Sequence, residues 1–121
     1  MQQIAFNEIS AAEVSAIPAL ELLQLFNGFK VDADSLKNIT ADSQFGVVER
    51  NGRKIYRFRS QDYRIYFTIE DGSVVVQRVL HADSLKDFMF RANMGSGEDH
   101  ALGASRSFWK LIDAGENAPR R

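Results

Sequence analysis

Three turn signals, one every ten residues, constrain this chain more than any other feature: Asn51-Gly52, Ser60-Gln61-Asp62 and Asp71-Gly72. Asn, Asp and Gly tolerate positive φ, and such a pair between two alternating runs marks a tight hairpin. The runs are Phe45 to Arg50, Arg53 to Ser60, Tyr63 to Glu70 and Ser73 to Leu80. Their alternation has the period of a strand, so the middle of the chain is expected to be an antiparallel meander of three or four strands.

The N-terminal part has a different period. Residues 2 to 6 suit a short edge strand. Ser10-Ala11-Ala12-Glu13 reads as a capping box with Ser10 as N-cap, and Ile17, Leu20, Leu23 and Phe26 continue an apolar stripe. Pro18 either kinks one helix or opens a second, and Asn27-Gly28 is a stop. A short polar helix is expected near Asp34 to Asn38. After the meander, Asp83 or Ser84 is placed to cap a helix from Leu85 to about Asn93, with Leu85, Phe88 and Met89 on one face. Gly95 to Asp99 has the composition of a linker. Ser105 to Ala114 then predicts an amphipathic helix through Phe108, Leu111 and Ile112, docked on the core, offered to a partner, or laid as a partial lid over the face that carries Arg57 and Arg59. The predicted class is α+β, with N-terminal helices on an antiparallel sheet of three or four strands, a short helix after the last strand, and a tail helix. Residues 1–94 are expected to form the domain, and 95–121 the linker and tail.

With 121 residues there is room for one domain. The absence of Cys removes disulfides, thiolate metal sites and cysteine nucleophiles, and two His residues, 81 and 100, are too few for a His-rich metal centre. No apolar run approaches the roughly 20 residues of a membrane span, and Met1-Gln2-Gln3-Ile4 does not resemble a secretory leader, so a cytoplasmic location is expected.

Net charge is −1, but it is unevenly spread. Residues 1–48 carry two Lys against six carboxylates, while residues 49–91 carry nine cations against six carboxylates. Six of those cations fall between Arg50 and Arg64. Such clustering suits either a salt-bridged strand face or a polyanion partner. Strand parity places Tyr56 and Phe58 on one face, with Tyr63, Ile65, Phe67 and Ile69 as the apolar set of the next strand. Arg57, Arg59, Arg64 and Tyr66 share the other face, which is expected to be open to solvent. Guanidinium forks match phosphate oxygens. His81, at the end of the last strand, is either structural or a general acid or base.

The run Lys54-Ile55-Tyr56-Arg57-Phe58-Arg59-Ser60-Gln61-Asp62-Tyr63-Arg64-Ile65-Tyr66-Phe67 resembles the core motif of the RelE/ParE toxin superfamily. Val79 to Phe88 resembles its closing strand and terminal aromatic. The resemblance is specific over residues 54–70, moderate over 74–91, and absent from the tail. It implies the toxin of a type II toxin–antitoxin system, a metal-independent mRNA endoribonuclease that acts on the ribosome and needs no cofactor. In that chemistry a ribose 2′-OH attacks the adjacent phosphate. The resemblance then implies His81, Arg64 and Arg57 as catalytic residues, and Arg59, Tyr66, Phe88, Lys54 and Lys86 as substrate-binding ones. Implied partners are a cognate antitoxin and mRNA, with no membrane. Three positions depart from the family pattern: Ile55 replaces a basic residue, Ala82 an arginine, and Phe88 a tyrosine. Two other functions fit the same scaffold, a non-catalytic RNA- or ribosome-binding module and a ParE-like inhibitor of DNA gyrase.

Overall fold

Every one of the three turn signals closes a hairpin in the computed structural model, which describes residues 3–32, 34–37, 39–40, 43–86 and 97–121. The elements are β1 (Ile4–Phe6), α1 (Glu8–Ser15), α2 (Ala19–Gly28), β2 (Phe45–Arg50), β3 (Arg53–Ser60), β4 (Tyr63–Glu70), β5 (Ser73–His81), α3 (Glu98–Gly103) and α4 (Arg106–Asn117). Asn51 and Gly52 take φ of 52° and 84°, and Asp71 and Gly72 take 52° and 77°. These left-handed pairs match the twist of the flanking strands.

The class is α+β, as the period change predicts, but the sheet has five strands instead of three or four. Its order is β1-β5-β4-β3-β2. The edge segment of residues 2 to 6 supplies the fifth, pairing parallel to β5 with Ile4 opposite Val74. It covers backbone groups that an outer strand would otherwise leave unpaired. Arg78 faces Tyr66, yet Val76 faces Phe67, so Gln77 is an extra residue in β5. This bulge puts Val74, Val76 and Val79 on a single face, resolving the run of valines that strict alternation leaves on both.

Two cores sandwich the sheet. On the first face Leu25, Phe29 and Val31 pack against Phe58, Ile65, Phe67, Val76 and Val79, and six of the nine phenylalanines collect here. Phe29 is the hub, with ring centroids 5.2 Å from Phe58 and 5.3 Å from Phe67. On the second face Leu102, Phe108, Trp109 and Ile112 of the tail bury against Val48, Ile55, Tyr66 and Leu80. Residues 97–121 therefore share a core with the sheet. Among the described residues no helix is long and apolar enough to cross a membrane.

Several local expectations are corrected. Pro18 precedes a second helix, and that break resets the helical phase. Leu22, Leu25 and Phe26 turn inward, while Leu20 and Leu23 stay 70% exposed. The N-cap of α1 is Asn7, not Ser10; Ser10 stands at the third helical position and completes the box from there. Glu13 is then free to leave the helix end. Its carboxylate pairs with Arg78 and accepts the Val79 amide, a donor on the edge of β5 beyond the reach of β1. Residues 34–37 form a turn in place of a helix, because Asp32 Oδ1 accepts the amides of Asp34 and Ser35. Helix resumes at residues 82–86, three residues before Leu85; its continuation to Asn93 lies outside the described residues.

Asn7 joins three elements and is fully buried. Its Oδ1 accepts the Ser10 amide at 2.7 Å, and its Nδ2 donates to Gln77 O at 3.0 Å and Gly115 O at 2.8 Å. Gly115 permits this approach, since a Cβ there would collide with the Gln77 carbonyl. Loss of an N-cap costs about 1 kcal/mol, and each stranded buried carbonyl about 1–3 kcal/mol. Asn7→Ala should therefore lower unfolding free energy by about 3–7 kcal/mol in urea melts. Asn7→Asp keeps the cap acceptor but loses both donors, and should be no more stable than Asn7→Ala.

Candidate functional site

Register places Arg57, Arg59, Arg64 and Tyr66 on one face, as parity predicts: Arg57 lies opposite Tyr66, and Arg59 opposite Arg64. The expected exposure is not found. Arg57 and Tyr66 have 0% relative exposure and Arg64 has 8%. The segment read as a linker supplies the cover, because Glu98 and Asp99 open α3 above these residues.

All three guanidinium nitrogens of Arg57 are hydrogen-bonded. Nε and Nη2 grip the two oxygens of Asp99 at 3.0 and 2.7 Å, and Nη1 donates to the carbonyls of Ser43 and Gln44, both at 2.8 Å. Gly46, opposite it on β2, gives the guanidinium its space, since a Cβ there would collide with it. Arg64 repeats the pattern: Nε and Nη2 reach the Glu98 carboxylate at 2.9 and 3.2 Å, and Nη1 donates to Gln61 O and Tyr63 O. Arg59 is looser, with Nη2 3.7 Å from Glu98 and its side chain 28% exposed. On the same face the Tyr66 hydroxyl is buried and has no hydrogen-bond partner among the described residues. Its pKa is pushed well above that of an ordinary phenol, first by burial and then by the nearby Glu98 and Asp99 charges.

The other expected site residues are elsewhere. His81 lies opposite Tyr63, on the face of the first core, and so across the sheet from Arg57 and Arg64. Its ring meets Tyr63 edge-on with centroids 5.1 Å apart, and Nδ1 accepts the Asp83 amide at 3.0 Å. Lys54 is exposed, over the Tyr56 ring at 5.6 Å on that same first face. Lys86 pairs with Asp83 at 3.0 Å on the surface, a contact that also holds the Asp83 carboxyl below its usual range. Phe88 lies outside the described residues. The four face residues are thus brought together, while His81, Lys54 and Lys86 are not among them. Glu98 and Asp99 are the site residues that sequence reasoning missed. Two adjacent carboxylates in a Gly-Ser-Gly context look like solvated linker, and only their distance from the arginines in space marks them.

A scan of protein-family models and a search of curated proteins give no significant match to this chain. Among the described residues, no group of three or more His, Asp or Glu is placed to hold a metal ion.

Removing one partner of a buried ion pair strands the other charge, at a cost of about 3–5 kcal/mol. Asp99→Ala should therefore destabilise the protein by about that amount in urea melts, whereas Lys37→Ala, which loses only the exposed pair with Asp34, should cost under about 1 kcal/mol. For Tyr66 the folded pKa is raised, so its contribution is intact below the ordinary phenol value and is lost as pH climbs above it. Tyr66→Phe should gain about 1–2 kcal/mol at neutral pH by removing an unpaired hydroxyl. It should also flatten the loss of stability above about pH 10, measured by melting at several pH values.

Proposed function

We propose that the protein is a RelE-like toxin that inhibits translation by engaging mRNA through the arginine face of β3 and β4, and that α3 holds it in a closed form. One observation carries this reading. Arg57, Arg59 and Arg64 share a sheet face with a Tyr66 hydroxyl that has no hydrogen-bond partner among the described residues, and two carboxylates cover that face, each of Asp99 and Glu98 bridging a guanidinium fork. A phosphodiester offers a fork the same two anionic oxygens. The RelE-like architecture is proposed on the motif of residues 54–67 together with the meander and the N-terminal helices against its first face. With α3 displaced, Arg57, Arg59 and Arg64 would neutralise a phosphate as a ribose 2′-OH attacks it; the 2′-OH proton passes to water, and the P–O5′ bond breaks to leave a 2′,3′-cyclic phosphate and a 5′-hydroxyl end. The Tyr66 hydroxyl would donate a hydrogen bond to a phosphate oxygen.

A second reading, RNA binding without cleavage, is favoured by the position of His81. A general acid or base must come within hydrogen-bond reach of the reacting group. Across the sheet from Arg57 and Arg64, His81 does not meet that requirement.

The test uses Glu98→Gln with Asp99→Asn, which keeps the shape of the latch but removes its charge. Latch weakening of about 1.4 kcal/mol is a tenfold change in the closing equilibrium. The double variant should bind RNA and inhibit cell-free translation at least tenfold more strongly than the wild type, and adding Arg59→Ala should reverse the gain. Mapped mRNA ends separate the two readings: new 5′ ends support cleavage, and intact mRNA supports binding alone. A double variant that stays folded yet neither binds RNA nor slows translation overturns both.

A further inference from the structure

The arginine face is closed, but a second basic surface is open. A groove of ≈ 510 Å³ runs between the tip of the β2–β3 hairpin and α4, lined by Arg50, Arg53, Arg106, Trp109, Lys110 and Asp113, with Asn51 at its end. Arg53 builds its floor. The guanidinium lies 4.7 Å from the Trp109 ring centroid and is tied to Asp113 at 2.7 Å and Glu116 at 2.8 Å. Those two carboxylates are therefore engaged. Arg50, Arg106 and Lys110 have no carboxylate partner among the described residues, which leaves four cations against two anions. Arg50 and Arg53 also stand directly opposite each other across the hairpin. Like charges in that position destabilise a strand pair, so folding alone gives no reason to keep both.

We propose that this groove binds the phosphate backbone of single-stranded RNA, with Arg50, Arg106 and Lys110 as the phosphate contacts. Three cations spread over two elements form a track longer than one small anion needs. Trp109 is not the reading element, because it is buried, its Nε1 donates to Gly103 O and one ring face is taken by Arg53. Recognition is thus by charge and backbone, without base preference. The groove is built largely by α4, which lies outside the resemblance to the toxin family, and it stands independently of the arginine face.

The probe is a 2′-O-methyl RNA, which cannot be cut by 2′-OH attack, so binding is read apart from cleavage. Each phosphate contact contributes about 0.7 to the slope of log K against log salt for a single strand, so three contribute about 2.1. Between 50 and 200 mM salt the wild type should lose about 20-fold more affinity than the variant Arg50→Gln, Arg106→Gln, Lys110→Gln. These side chains lie on the surface, and the variant should melt with the wild type. An unchanged salt slope in the folded variant overturns the assignment, as does an absence of wild-type binding at 50 mM salt. A polyglutamate peptide held equally well through the same three residues also overturns it, because the site would then be selective for charge alone. Retention of RNA by the wild type, while the Glu98→Gln, Asp99→Asn variant leaves translation unaffected, leaves the groove standing and removes the toxin reading; the reverse pattern does the opposite.

Discussion

One buried amide holds the layers of this protein in register. The Asn7 side chain caps α1 with its oxygen, while its nitrogen spans the bulge of β5 and the last turn of α4. Gln77 extends the network, accepting from Asn7 Nδ2 and donating to Thr68 on β4. The chain ends meet beside it: Glu8 N donates to Pro119 O, and Arg121 N to Phe6 O. A buried amide offers two donors and an acceptor in a fixed plane, so its geometry admits few alternatives once the partners are buried. Position of the bulge, entry of α1 and docking of α4 are thereby set together.

The tail changes what the sheet can do. Without it, the second face would present Ile55, Leu80 and Tyr66 beside three arginines, an apolar and cationic surface in contact with water. α3 and α4 solve both problems, burying Leu102, Phe108 and Ile112 on the apolar part and supplying Glu98 and Asp99 to the cationic part. Each of those apolar side chains contributes about 1.5–3 kcal/mol on burial, so they dominate the hold of the tail. The ion pairs set its register more than its strength, because desolvation offsets much of their attraction. The unpaired Tyr66 hydroxyl is the exception, a buried donor kept at a cost in stability, and such costs concentrate where a surface has a use beyond folding.

Strand positions, turns and face assignments were legible because each follows from local rules. Period 2 separates Arg57 and Arg59 from Tyr56 and Phe58, and positive φ picks out Asn51-Gly52. Where the rules failed, a contact distant in sequence intervened. Ser10 looked like the cap until Asn7, with its own partners on β5 and α4, took that place. Alternation left the last strand apolar on both sides and so gave His81 no face; its pairing with Tyr63 puts it on the first core's side. Exposure of the arginine face was misjudged for a deeper reason: alternation says which residues share a face but is silent on what covers it. Phe108, Leu111 and Ile112 did announce an amphipathic helix, and the apolar members of the second face needed a partner. Matching those two surfaces was the available signal for the tail as a lid, and the linker-like composition ahead of the helix hid only the carboxylates of Glu98 and Asp99.

Adjacent helices build the closed face and the open groove. α3 carries the carboxylates that close the arginines, and only Ala104 and Ser105 separate it from α4, which carries Arg106 and Lys110 to the hairpin. Displacing α3 alone costs the two ion pairs and the burial of Ala101 and Leu102; displacing α4 with it would also dismantle the groove. A ligand bound only to the assembled groove stabilises the docked α4 by RT ln(1 + [L]/Kd), about 2.7 kcal/mol at a hundredfold excess over Kd. That increment opposes release of the whole tail but leaves α3 free to move on its own. RNA held in the groove would therefore confine any opening to α3, keeping one strand of the polymer fixed beside the hairpin while the arginines a few residues along β3 are uncovered. Coupling of this kind is reciprocal, so a polymer that engages the uncovered arginines with α4 still docked must also bind the groove more tightly.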